Sequence, residues 1–182
     1  TLEEEFNSGV RWQKIPTRYL KLSPEEIRES IKKLKDAMGS KVTILGHHYQ
    51  REDVIEFSDL QGDSFLLSKL AAEKNDSEII IFCGVHFMAE TAEILSANNQ
   101  KVILPNMAAG CSMADMAATE DVKRSWKQIT ETLNSTTDKN PVIPVTYMNS
   151  TASIKALCGE NNGIVCTSSN ANKAFEWAFE RG

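Results

Sequence analysis

The chain has 182 residues, of which 41% are hydrophobic and 25% charged, and its net charge is −5. Such a composition fits one folded domain or two small ones and excludes an intrinsically disordered chain. The acidic balance, with a pI near 5.3, argues against a nucleic-acid or polybasic membrane surface, since phosphate binding needs a basic face.

No run of about 18 apolar residues occurs, so no membrane-spanning helix is expected. Residues 1–6 are acidic and lack a basic and an apolar region, so no secretory signal is expected either. The start without Met is that expected of a trimmed or partial chain. Four cysteines, Cys83, Cys111, Cys158 and Cys166, are sparse and form no CxxC pair. They are expected to be free thiols in a reducing cytoplasm.

Ser23-Pro24-Glu25-Glu26 reads as a capping box with proline at the first helical position. Ile27, Ile31, Leu34 and Met38 follow at helical spacing, and Gly39 ends the run. Residues 42–45 read as a short strand that breaks at Gly46 into His47-His48-Tyr49-Gln50. After the turn Gly62-Asp63-Ser64, residues 65–74 read as a helix. The apolar run at 78–83 is the clearest strand and suits a sheet covered on both faces. A helix over 86–97 and a strand over 101–104 follow.

The segment 106–118 is rich in Ala, Met and Gly. Its methionines, Met107, Met113 and Met116, are expected at a hydrophobic interface. A helix begins at Thr119, with Val122, Trp126, Ile129 and Leu133 on one face. A polar linker spans 135–140. Residues 142–148 read as a strand whose Pro144 marks an edge or a start. A helix over 150–157, a strand over 163–166 and a final helix capped by Ser168 complete the chain. Strands and helices alternate, which predicts an α/β fold with parallel strands and right-handed crossovers.

An internal echo runs through this order. A strand followed by His47-x-Tyr49 leads to Ser64 at a helix start. A strand followed by Tyr147-x-Asn149 leads to Ser168 at a helix start.

In open α/β sheets, ligands sit beyond the carboxyl ends of the strands. His47, Tyr49, Cys83, Tyr147, Asn149 and the pair Thr167-Ser168 all fall there. Helix N-termini at the same edge hold anions, so an acidic protein can bind a carboxylate or phosphate locally. Each residue also has an ordinary role. Cys83 fits an inert core thiol, a nucleophile beside His86, or a metal ligand. The two serines fit simple caps. The tyrosines fit half-buried aromatics, and His47-His48 carries no zinc pattern.

Six segments together resemble the quinolinate synthase family. They are Gly46-His47-His48-Tyr49-Gln50, Gly62-Asp63-Ser64, the run from Phe82 to Thr91 (FCGVHFMAET), the run from Ala109 to Met116 (AGCSMADM), Val145-Thr146-Tyr147-Met148-Asn149-Ser150, and Thr167-Ser168-Ser169-Asn170-Ala171. They occur in the family's order and cover nearly the whole chain from about residue 18.

The resemblance implies condensation of iminoaspartate with dihydroxyacetone phosphate to quinolinate, in NAD biosynthesis. It implies three similar three-layer αβα domains around a site holding a [4Fe–4S] cluster on three cysteines, one iron being open to substrate. This chain would supply the first domain (residues 1–98) and most of the second (99–182), without the third. By itself it is expected to be inactive. Cys83 is implied as a cluster ligand, and Cys111, Cys158 and Cys166 do not match the family's cluster positions. His47, Ser64, Tyr147, Asn149 and Ser168 are implied as contacts to the iminoaspartate carboxylates. Tyr49, with His47, is implied in proton transfer. L-aspartate oxidase is implied as the supplier of iminoaspartate. A longer loop is implied around Gly159-Glu160-Asn161-Asn162. The alternative reading is a non-catalytic α/β module that holds a small dicarboxylate by the same donors.

Overall fold

The computed structural model describes residues 15–73, 76–134 and 141–182. The expected linker at 135–140 lies outside these residues. The chain divides into two compact units, one ending at Gly110 and the other spanning Cys111–Gly182.

In the first unit, a single helical turn α1 (Thr17–Leu20) precedes α2 (Pro24–Met38). The capping box is formed. Ser23 Oγ accepts from the Glu26 amide, and the Glu26 carboxylate accepts from the Ser23 amide. Gly39 ends α2 at φ +54°, where a side chain would be strained. The chain continues through β1 (Val42–His47), the short α3 (Glu52–Ile55), β2 (Leu60–Gly62), α4 (Ser64–Glu73), β3 (Ile79–Cys83), α5 (His86–Leu95) and β4 (Lys101–Ile103).

The four strands form one parallel sheet in the order β2-β1-β3-β4. The direction of progression reverses between β1 and β3. That switch point opens the crevice in which doubly wound sheets take ligands. The expected division after residue 98 moves to Gly110, because β4 pairs with β3 and belongs to this sheet.

Helices α4 and α5 pack together over one face of the sheet. Beneath them lie Leu45, Leu67, Ala71, Ile80, Phe82 and Ala92, all fully buried. The other face is covered more loosely. Ile27 and Ile31 of α2 and Val54 of α3 look across a groove of about 520 Å³ at Ile44, Ile81 and Cys83. Accordingly β3 alternates buried and half-buried residues instead of being sealed on both sides as its apolar run suggests. A run of isoleucines cannot reveal that the helix over one face stands off from it.

One polar strap ties α2 to the sheet. Lys35 Nζ meets Asp59 Oδ1 at 2.8 Å and donates to the Phe57 carbonyl at 2.6 Å. Asp59 Oδ2 in turn accepts from the Ile44 amide at 2.8 Å. Lys35→Ala should therefore loosen α2 by about 1–2 kcal/mol, since a half-buried charged pair with a second hydrogen bond exceeds a free surface pair. Hydrogen exchange of the α2 amides in the full-length protein should rise roughly tenfold. Unchanged exchange would assign the anchoring to the apolar contacts alone.

The second unit holds α6 (Thr119–Asn134), β5 (Val145–Tyr147), α7 (Ala152–Glu160), β6 (Ile164–Cys166) and α8 (Ala171–Phe179). Strands β5 and β6 are parallel neighbours. Pro144 sits immediately before β5, and its carbonyl accepts from the Ile164 amide at 3.0 Å. Trp126 of α6 donates to Asn161 Oδ1 at 2.7 Å, fixing α6 to the end of α7. Met107, Met113 and Met116 are exposed. The architecture is α/β with parallel sheets, as the alternation of elements predicts.

Candidate functional site

In the first unit, β1 ends on His47, which is only 4% exposed. Its Nε2 lies 3.3 Å from Ser64 Oγ at the start of α4. The Tyr49 amide donates to His47 Nδ1 at 3.5 Å, a long bond that assigns the ring proton to Nε2. The Tyr49 ring rests on the imidazole, centroids 3.8 Å apart, while the residue is 54% exposed. His48 stands on the other flank at 4.3 Å and approaches the Gly62 carbonyl through Nδ1 at 3.2 Å. Burial first, and His48 second, push the His47 pKa down to about 4, while Asp63 acts the other way. At neutral pH the ring is therefore uncharged. It is a hydrogen-bond donor, not an imidazolium acid.

Ser64 does not cap α4. Asp63 does. Its Oδ1 accepts from the amides of Phe65 (3.0 Å) and Leu66 (2.9 Å), and its carbonyl accepts from Leu67. Two good cap residues stand side by side here, and the sequence cannot say which one the backbone uses. Ser64 Oγ is consequently free to meet His47.

The second unit repeats the arrangement with other residues. Tyr147 Oη lies 2.5 Å from Ser168 Oγ. Ser168 is no helix cap either. Asn170 is the N-cap residue of α8, and its Oδ1 turns back to accept from the Thr167 amide at 2.7 Å. Asn149 lies in the turn after β5, half-buried, next to Ser150, whose Oγ donates to the Tyr147 carbonyl at 2.8 Å.

The two strand registers explain why the echo recurs. His47 is the Cα partner of Gly62, and Ser64 stands two residues beyond. Tyr147 is the partner of Cys166, and Ser168 stands two residues beyond. Each unit thus places a ring at the end of its first strand against a serine two residues past the paired position. The sequence predicts both pairs as neighbours in role, and the structure brings each pair within hydrogen-bond reach.

Cys83 is placed elsewhere. Side chains of a strand alternate between faces. Ile81 and Cys83 line the groove beneath α2, as does Ile44 of the neighbouring strand. His47, three residues after Ile44, points to the opposite face, toward α4. Cys83 therefore does not join the polar cluster. The groove it lines is mostly apolar, and burial pushes its thiol pKa up. His86 pairs loosely with Glu90 at 3.7 Å on the surface of α5, which leaves no base seated on Cys83.

The other thiols differ from one another. Cys158 and Cys166 are buried, and Cys158 Sγ donates to the Pro144 carbonyl at 3.1 Å. Cys111 is only half-buried. It follows Ala109, whose carbonyl accepts from the His86 amide at the start of α5, at 2.9 Å. That bond holds the chain just before Cys111 at the carboxyl edge of the first sheet. Among the described residues no three His, Cys, Asp or Glu side chains gather closely enough to hold a metal. Nor is any helix among the described residues long and apolar enough to cross a membrane.

Comparison with known proteins gives the family. Residues 29–182 match the family described as quinolinate synthetase A protein. The quinolinate synthase of Corynebacterium glutamicum is 54% identical over 172 residues, covering 94% of this chain and 43% of the relative. Those of Bacillus cereus and Bacillus thuringiensis are 50% and 49% identical over 165 residues, covering 91% of this chain and 44% of each relative. The chain spans less than half the length of these curated relatives. With this identity across nearly all of its residues, the chain belongs to the quinolinate synthetase A family.

Proposed function

We propose that the chain is part of an enzyme that condenses iminoaspartate with dihydroxyacetone phosphate to quinolinate, in NAD biosynthesis. The carrying observation is the repeated pair, His47–Ser64 and Tyr147–Ser168, each set by strand register at a carboxyl edge. These are neutral donors beside helix starts, suited to holding a carboxylate of a dianionic substrate without a basic patch. Neutral His47 gives its Nε2 proton to Ser64 Oγ, which leaves the serine hydroxyl hydrogen to point at substrate. Asn149 adds an amide donor after β5. Tyr49, exposed above the His47 ring, is the group available to move a proton during dehydration.

The family's [4Fe–4S] cluster, when bound, supplies a Lewis-acidic iron that eases loss of hydroxide. Its thiol from this chain is assigned to Cys111 in place of Cys83, because Cys83 lines the groove beneath α2 and the chain just before Cys111 is held at the carboxyl edge of the first sheet. The remaining ligands, and turnover itself, belong to the longer protein. L-aspartate oxidase is the proposed source of iminoaspartate, and the cytoplasm the proposed compartment.

The test uses the full-length protein under anaerobic conditions, with iminoaspartate formed in situ from oxaloacetate and ammonia. Quinolinate should accumulate only when dihydroxyacetone phosphate is also present. Tyr147→Phe should raise KM for iminoaspartate roughly five- to tenfold with iron content unchanged, as expected for one lost hydrogen bond. Dicarboxylate binding without quinolinate formation would favour a binding module instead.

A further inference from the structure

Ser64 faces two claims on its hydroxyl. It stands at the first position of α4, whose leading amides need acceptors, and it stands 3.3 Å from His47 Nε2. Serine at a helix start ordinarily satisfies the first claim. Here Asp63 Oδ1 takes both the Phe65 and the Leu66 amides. Ser64 is left with the second.

We infer that Asp63 is a positioning residue for the substrate site: by capping α4 it keeps the Ser64 hydroxyl out of the helix and turned toward His47 and substrate. The inference rests on the functional reading above. It adds a residue that touches no substrate and acts only through Ser64. In Asp63→Ala the first turn of α4 loses its cap, and the nearest replacement is Ser64 itself, one residue further on. Its Oγ then accepts from the Leu66 or Leu67 amide, and the His47 contact is broken. Asparagine caps as well as aspartate. Asp63→Asn should therefore preserve the arrangement, because the cap and not the charge is what matters.

The experiment is a double-mutant cycle on the full-length enzyme, with KM for iminoaspartate and kcat measured separately. D63A and S64A should each raise KM about tenfold, with a smaller change in kcat. D63N should stay within about twofold of wild type. The double variant D63A/S64A should have the KM of S64A alone, because Asp63 has nothing left to position. Helix destabilisation alone would instead add its penalty in the double variant.

A readout independent of turnover is the His47 imidazole nitrogen resonance at pH 7.5, in protein labelled at histidine. It should move in D63A as it does in S64A and remain in place in D63N. Additive KM effects, a wild-type KM in D63A, or a D63N variant as impaired as D63A would overturn the inference. Failure of the wild-type protein to make quinolinate would overturn the functional reading. The resonance would still decide the role of Asp63 in that case.

Discussion

Cys111→Ser in the full-length protein is expected to abolish the iron–sulfur cluster, while Cys83→Ser is expected to leave it in place. The resemblance to the family points the other way, to Cys83, because that residue ends the most recognisable strand. The side-chain alternation of that strand supports Cys111 instead. Cys83 shares its face with Ile81 and looks into the aliphatic groove under α2, where burial raises its pKa. Cys111 is half-buried, and the chain just before it is tied to the start of α5 by the Ala109 carbonyl, which accepts from the His86 amide. Iron and acid-labile sulfide per chain, after anaerobic purification, should be about four of each in wild type and Cys83→Ser. Both should be near zero in Cys111→Ser. The reverse pattern would restore Cys83 as the ligand.

The second large effect concerns acid stability. His47 is buried and neutral, with its pKa down near 4 from an ordinary 6.5. The unfolded chain binds a proton at this residue below about pH 6.5, while the folded chain does so only below about pH 4. Stability contributed by the neutral ring is thus complete above pH 6.5 and falls as the pH drops through that window. At about 1.4 kcal/mol per pH unit, the loss is on the order of 2 kcal/mol at pH 5 and 2–3 kcal/mol by pH 4. His47→Gln removes the titration while keeping a polar side chain. Denaturant unfolding of wild type and H47Q at pH 7.5 and pH 5 should show wild type losing about 2 kcal/mol more than the variant. Equal losses would mean that the ring accepts a proton in the folded protein as easily as in the unfolded one.

Local signals in the sequence were read most reliably where one residue has one job. Ser23, Pro24 and Glu26 announce α2, and the bonds they predict are formed. The run at Ile79–Cys83 announces a central strand. Periodicity does not say which of its faces is well covered, so the half-open groove beside Cys83 was invisible. Ser64 and Ser168 are legible as polar groups near helix starts, yet Asp63 caps the first helix and Asn170 takes the N-cap position of the second. Adjacent residues with the same capping preference cannot be ranked without the backbone. The extent of the first unit was also illegible. Its last strand has three residues, and only pairing with β3 shows which sheet claims it.

The matched registers carry a consequence for how these chains tolerate change. His47 meets Gly62 and Tyr147 meets Cys166 through strand ladders, not through the crossovers that join the strands. A ladder works as a ruler whose zero is independent of the thread outside it. A longer or shorter turn after α7, at residues 161–163, would change the thread and leave Ser168 two residues past Cys166. The outer surface of such a unit can thus change in length while the ladder alone sets the spacing between ring and hydroxyl.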